Sequence, residues 1–149
     1  MLIYIGDSSN VINRILANHC SGNVEGSILR QHIAVAKGYE IKRSPRPSGA
    51  TKIRIDPEEE DSVSNYIRSG RWKYVICDSK DEARDFQWYA IEYLEPLLNV
   101  NCGNWNQENT NRYAMLLEEL KAAGALSCDQ LRGRQTGPGV YALYHVHEP

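Results

Sequence analysis

Gly139-Val140-Tyr141-Ala142-Leu143-Tyr144-His145-Val146 and Leu2-Ile3-Tyr4-Ile5-Gly6 are the two stretches on which the reading of this chain turns. Each is short, apolar and rich in β-branched or aromatic residues, the composition of a strand. One opens the chain and the other runs almost to its last residue. If Pro149 is joined to Met1 on paper, Tyr141 is followed by Tyr4 after about a dozen residues. That is the layout of an antiparallel hairpin with Gly-Val-Tyr on one strand and Tyr-Ile-Gly on the next. The two runs are therefore expected to share a sheet, antiparallel, with the chain ends close together. The pairing can form within one chain or, by strand exchange, between the two chains of a homodimer.

Composition sets the frame. At 149 residues the chain suits one domain with a full core and is short for two. The expected organisation is a single domain over 1–149, divided into 1–99, a linker and helical lead-in over 100–136, and the final strand region over 137–149. Charged residues make up 24% and apolar residues 42%, which describes an ordinary soluble protein. No apolar run approaches the ~18 residues of a membrane span, and no signal peptide is legible. The cysteines Cys20, Cys77, Cys102 and Cys128 are scattered without a C-x-x-C pair, arguing against a zinc site and a disulfide framework. Reduced thiols in a cytoplasmic protein are the expectation.

The net charge of -2 gives no global sign of nucleic acid, but its distribution is uneven. Arg30, Lys37, Lys42, Arg43, Arg46, Lys52 and Arg54 face a single acid, Glu40, across the same stretch. Acidic residues crowd immediately after it, from Asp56 to Asp61. A basic stretch beside an acidic one reads either as a phosphate-facing arm with its counterweight or as a solvated loop.

Between the two decisive stretches, Ser8 or Ser9 is expected to cap a helix from about Asn10 to His19. A second helix from about Ser27 to Ala36 would bury Ile28, Leu29 and Ile33 and end at Gly38. Tyr39–Lys42 and Thr51–Ile55 read as two strands joined by a Pro/Gly/Ser turn. A polar loop or short helix follows over Pro57–Gly70. Trp72–Cys77 is the clearest strand, and Asp78 or Ser79 caps a helix from Asp81 to Leu94, closed by Pro96. Residues 100–109 read as a linker. A helix from Asn111 to Ala123 would carry Met115, Leu116 and Leu120 inward, and a short one follows around Cys128–Leu131.

These pieces, taken in rotated order, resemble the GIY-YIG nuclease superfamily cut open inside its signature hairpin. The resemblance covers most of the chain. Arg14 follows Tyr4 at the family's spacing, and His19 lies five residues on, as in some members. Trp72–Cys77, the capped helix and Pro96-Leu97-Leu98-Asn99 are similar to the family's third strand, third helix and proline-to-asparagine ending. Leu126–Leu131 through Pro138-Gly139 resembles the lead-in that many relatives carry. The fold this implies is α/β (α+β): a small, mainly antiparallel three-stranded central sheet flanked by helices, here with an extra hairpin and a helical segment.

The resemblance implies DNA phosphodiester hydrolysis with Mg2+ or Mn2+. Tyr4 and Tyr141 would serve as tyrosines at the attacking water, Arg14 as the phosphate partner, and His19 as a further catalytic group. Asn99, with Arg43, Arg46, Lys52 and Arg54 of the basic stretch, would contact nucleic acid. Those residue types suit the chemistry. A guanidinium fork gains value as charge builds in the transition state, magnesium favours charged oxygen ligands and water, and tyrosine acts as a base only when a cation lowers its pKa. Without the matched spacings, Tyr4 and Tyr141 would be ordinary strand aromatics, Arg14 a solvated side chain, His19 a helix-end partner and Asn99 a turn residue.

One position departs from the family. Counting back from Pro96-Leu97-Leu98-Asn99, its metal-binding glutamate falls on Gln87. At about 100° per residue, Glu82 and Glu92 point away from Gln87, and Glu95 lies two turns further along, so none replaces it. A nuclease with an impaired or deliberately disabled metal position, a non-catalytic DNA-binding module, and a protein-interaction domain using Asn111–Leu131 are the three readings this leaves.

Overall fold

The structure is a computed structural model that describes residues 1–149. The chain runs through β1 (Leu2–Ser8), α1 (Val11–Asn13), which continues as a π-helix over Arg14–Cys20, and α2 (Ile28–Ala36). Next come β2 (Lys42–Pro45), β3 (Thr51–Arg54), α3 (Pro57–Ser69), β4 (Arg71–Ile76) and α4 (Lys80–Leu94). A 3-10 turn (Gln107–Asn109), α5 (Thr110–Ala122), α6 (Cys128–Leu131) and β5 (Gly139–Tyr144) complete it.

The two decisive stretches pair as their sequence predicts, and within one chain. β1 and β5 are antiparallel, with Tyr4 opposite Leu143, Gly6 opposite Tyr141 and Asp7 opposite Val140. β4 pairs antiparallel with the other edge of β5, so the three-stranded order is β1-β5-β4 and the strand nearest the C-terminus is central. The expected mixed α/β fold is present, and the extra hairpin is the separate two-stranded sheet β2-β3. No helix is long and apolar enough to cross a membrane.

Strand alternation sends successive side chains to opposite faces, a break in the β1 register between Leu2 and Tyr4 puts Ile3 and Ile5 on different faces, and two cores form. On one face Ile3, Tyr141, Leu143 and Trp72 pack with the π-helix, α2, α3 and α6. On the other, Ile5, Val140, Ala142 and Val75 pack with α4 and α5. At Gly139 a Cβ would lie 2.1 Å from the Val75 carbonyl oxygen, so only glycine lets β5 enter the sheet this closely.

Several sequence expectations change. The cap of the first helix is Asn10, whose side chain accepts from the Asn13 amide, because the Ser8 hydroxyl is turned to the Asn10 backbone instead. The helix then widens to π geometry from Arg14. The first hairpin strand starts at Lys42 rather than Tyr39, because the Tyr39 amide is held by the Ala34 carbonyl beyond the left-handed Gly38. Of the two expectations over Pro57–Gly70, a polar loop or a short helix, the structure takes the helix and makes it longer, the 13-residue α3. Its causes were in the sequence: an Asp56/Glu59 capping box, Pro57 at the first helical position, and Glu58–Glu60 near the positive end of the dipole. Val63, Tyr66 and Ile67 give it a buried stripe. Met115 is 60% exposed rather than inward, and Leu117 takes the buried place; Ile28, expected in the core, is 56% exposed.

Candidate active-site cleft

The outer edge of β1 borders a cleft of about 320 Å³ that Tyr4, Arg14, Gln87, Asn99 and Tyr141 all line. Five expected site residues, far apart in sequence, thus meet in one place. β1 supplies Tyr4, the start of the π-helix supplies Arg14, α4 supplies Gln87 and β5 supplies Tyr141. Gly6 explains how the two signature strands fit together. Its register partner is Tyr141, and a Cβ on Gly6 would fall 2.4 Å from the Tyr141 hydroxyl oxygen. The tyrosine ring therefore lies across the glycine.

Tyr141 is almost wholly buried and Tyr4 partly exposed. Burial raises the pKa of both phenols, while the Arg14 charge lowers it in part; the Arg14 guanidinium itself donates to the Gly26 carbonyl at 3.2 Å. Burial prevails, so Tyr141 keeps its proton at neutral pH. His19 sits behind Tyr141 rather than in the cleft. Its Nε2 lies 2.7 Å from the Tyr141 hydroxyl and its Nδ1 2.7 Å from the Ser27 hydroxyl. Trp72 stacks on its ring with centroids 6.1 Å apart. Burial, with the charges of Arg14 and Arg30, pulls the His19 pKa down to about 3. The ring is neutral. With Nδ1–H donating to Ser27, Nε2 accepts the Tyr141 proton; the other tautomer makes Nε2–H the donor.

Arg30 is fully buried and is not part of any basic surface. It donates to the His19 carbonyl at 2.8 Å and pairs with Glu60 at 2.9 Å. Arg30 thus ties the π-helix end to α3.

Asn99 has a structural duty. Its Oδ1 accepts from the Ile5 amide at 2.8 Å and its Nδ2 donates to the Ile5 carbonyl at 2.9 Å. With Leu97 and Leu98 donating to Leu2 and Ile3, the segment after α4 covers the β1 edge. The hairpin basics do not line the cleft, nor do they share a side. Lys52 and Arg54 alternate onto one face with Lys42, whereas Arg43 is opposite Ile53 on the other. Arg46 is paired to Glu25 and Lys42 to Asp56.

Among the cleft residues that escaped the sequence reading are two charged side chains and an aromatic one: Asp7, Arg84 and Trp88. Arg84 and Trp88 were legible in principle. They stand three residues before and one after Gln87, on a helix already expected to face the site. Asp7 required the observed register. It lies opposite Val140, on the sheet face turned toward α4, and burial raises its pKa against the lowering charges of Arg84, Lys80 and Arg14.

No group of three or more His, Cys, Asp or Glu side chains is placed to hold a metal ion. The cleft does offer the Asp7 carboxylate and the Gln87 carboxamide oxygen. Magnesium is commonly held by one or two carboxylates, with waters and substrate phosphates completing the shell. The donors present fit a site of that kind and not an all-protein cage.

The GIY-YIG catalytic domain family model matches residues 1–123. The chain belongs to that family. No curated protein and no solved structure matches it. The family match ends before β5, so the central strand of this GIY-YIG domain, with Tyr141, lies outside the matched residues. The family points to nuclease-type function.

Proposed function

We propose that this GIY-YIG domain binds DNA in the β1-edge cleft and hydrolyses a phosphodiester with a divalent cation, magnesium or manganese, its α4 metal position being weakened by Gln87. The observation that carries the reading is the meeting of Tyr4, Arg14, Gln87 and Tyr141 in one cleft. Relative to the family, the chain is circularly permuted. The β1–β5 register supports this, since Tyr-Ile-Gly at the start of the chain pairs with Gly-Val-Tyr near its end. The free cysteines suit a reducing, cytoplasmic setting.

The chain's own residues divide the work. Arg14 offers a guanidinium to a phosphate oxygen and is worth more as negative charge builds. Tyr141 orients the attacking water, and neutral His19 behind it holds the phenol in place, accepting its hydrogen bond in the matching tautomer. Tyr4 lines the same cleft beside it. A bound cation would polarise the phosphate and favour an ionised nucleophile. Asp7 and Gln87 would hold it.

A non-catalytic DNA-binding module is the second reading, favoured by the neutral side chain at Gln87. Interaction through Asn111–Leu131 has less to stand on: Tyr113, Leu116, Leu120 and Leu131 are buried in the protein's own cores. A homodimer by strand exchange would repeat a pairing that one chain already makes. Titrating labelled duplex and branched DNA with and without magnesium separates the readings. Metal-dependent nicking supports the nuclease, binding without nicking in any variant supports the module, and no binding excludes both.

A further inference from the structure

We infer that Asp7, on β1, is the carboxylate that takes the divalent cation in this cleft, in place of an acidic residue on α4. This rests on the nuclease reading above and goes beyond it in naming the residue. Three observations support it.

The first is exclusion. Asp7 is the one carboxylate among the residues lining the cleft. The acidic side chains of α4 nearest Gln87 are committed elsewhere. Glu82 pairs with Arg112 at 3.2 Å and accepts from the Asp78 amide. Asp85 takes the Tyr113 hydroxyl and the Asn106 amide. Glu92 accepts from the Trp105 indole at 2.8 Å. All three face the α5 and linker side, away from the cleft.

The second is availability. Asp7 takes part in none of the ion pairs of the protein. A half-buried carboxylate without an ion-pair partner is costly, and a cation would offset that cost. Arg84, Lys80 and Arg14 stand within electrostatic reach of Asp7 without pairing to it. Their charges are left for phosphate oxygens, which would complete the shell of a hard cation.

The third is placement. Asp7 follows Gly6, across which the Tyr141 ring lies, and sits on the sheet face turned toward the helix of Gln87. A cation at Asp7 would be adjacent to the tyrosine walls and still reach the Gln87 carboxamide oxygen, a neutral donor magnesium accepts alongside one carboxylate.

The test is manganese binding by the full chain, read as loss of the free-ion electron paramagnetic resonance signal, with a hydrolysis-resistant duplex present. The expected result is one ion bound by the unaltered chain, at least tenfold weaker binding in Asp7→Asn, partial recovery in Asp7→Glu, and tighter binding in Gln87→Glu. Asp7→Asn binding manganese as well as the unaltered chain does would overturn the inference. So would an unaltered chain that binds none while Gln87→Glu binds. Thermal melts of each variant separate misfolding from ligand loss, and Asp7→Glu keeps the test open if Asp7→Asn unfolds. Metal-free DNA binding, measured by anisotropy with Arg14→Ala as control, reads the nuclease proposal separately. Intact DNA binding with no Asp7 effect sinks only the metal assignment, and Asp7-dependent manganese binding without DNA binding sinks only the nuclease.

Discussion

Tyr141 has two partners of opposite character, the Arg14 charge on the cleft side and neutral His19 at 2.7 Å behind it. Tyr141→Phe should therefore abolish any cleavage and also cost about 1–3 kcal/mol of stability, because a buried His19 nitrogen loses its hydrogen bond. Chemical denaturation alongside a nicking assay measures both. His19 makes its own prediction. Its folded pKa of about 3 lies below the ordinary 6.5, so between those values the unfolded chain binds the extra proton. Its contribution is fully present above pH 6.5 and is lost as pH falls toward 3, at up to about 1.4 kcal/mol per pH unit. A denaturation series from pH 8 to 4 should show that slope, and His19→Asn should flatten it; an unchanged slope would mean His19 is not buried neutral. At this scale Tyr4, Arg14 and Tyr141 were legible because each lies in a short motif whose spacing can be read locally. Asp7 was not, since a search for a substitute carboxylate along α4 cannot see a residue that strand register brings to the same cleft.

The π-helix over Arg14–Cys20 is the element that sequence periodicity missed. In an α-helix residues five apart point about 140° apart. With i→i+5 hydrogen bonds they turn nearer to one face, and that brings Arg14 and His19 to bear on the same tyrosine. Nothing in the apolar pattern distinguishes the two geometries over seven residues. The segment after α4 has a similar hidden role, with Asn99 satisfying both backbone groups of Ile5. Asn99→Ala should cost about 1–3 kcal/mol and speed hydrogen exchange at the Ile5 amide; unchanged exchange would refute that role. For the hairpin, register narrows the phosphate-facing candidates to Lys52 and Arg54 on one face. Replacing both with Ala should reduce the salt slope of DNA binding by about two phosphate contacts, at ~0.9 each. Arg43→Ala should leave it unchanged. Equal slopes in all variants would make the hairpin a solvated appendage.

For the whole molecule, the last strand in sequence is the first in importance. β5 pairs on both edges and contributes Tyr141 and Leu143 to one core and Val140 and Ala142 to the other. A chain ending at residue 136 should fail to fold although it keeps the whole family-matched span, as circular dichroism and melting would report. Pairing of the two termini was legible from the signature halves. The length of α3 was not, because a run of acids reads as countercharge until its capping box and dipole are weighed together. The central claim is that this fold assembles a phosphodiester-cleaving site whose weakest part is one neutral side chain. The most direct test is DNA cleavage by Gln87→Glu with magnesium or manganese, against the unaltered chain and against Gln87→Glu combined with Tyr141→Phe or Arg14→Ala. Metal-dependent nicking should rise by about two orders of magnitude or more, since metal catalysis supplies several kcal/mol, and should vanish in both double variants. A folded, DNA-binding Gln87→Glu chain that cuts no substrate with either metal would contradict the account.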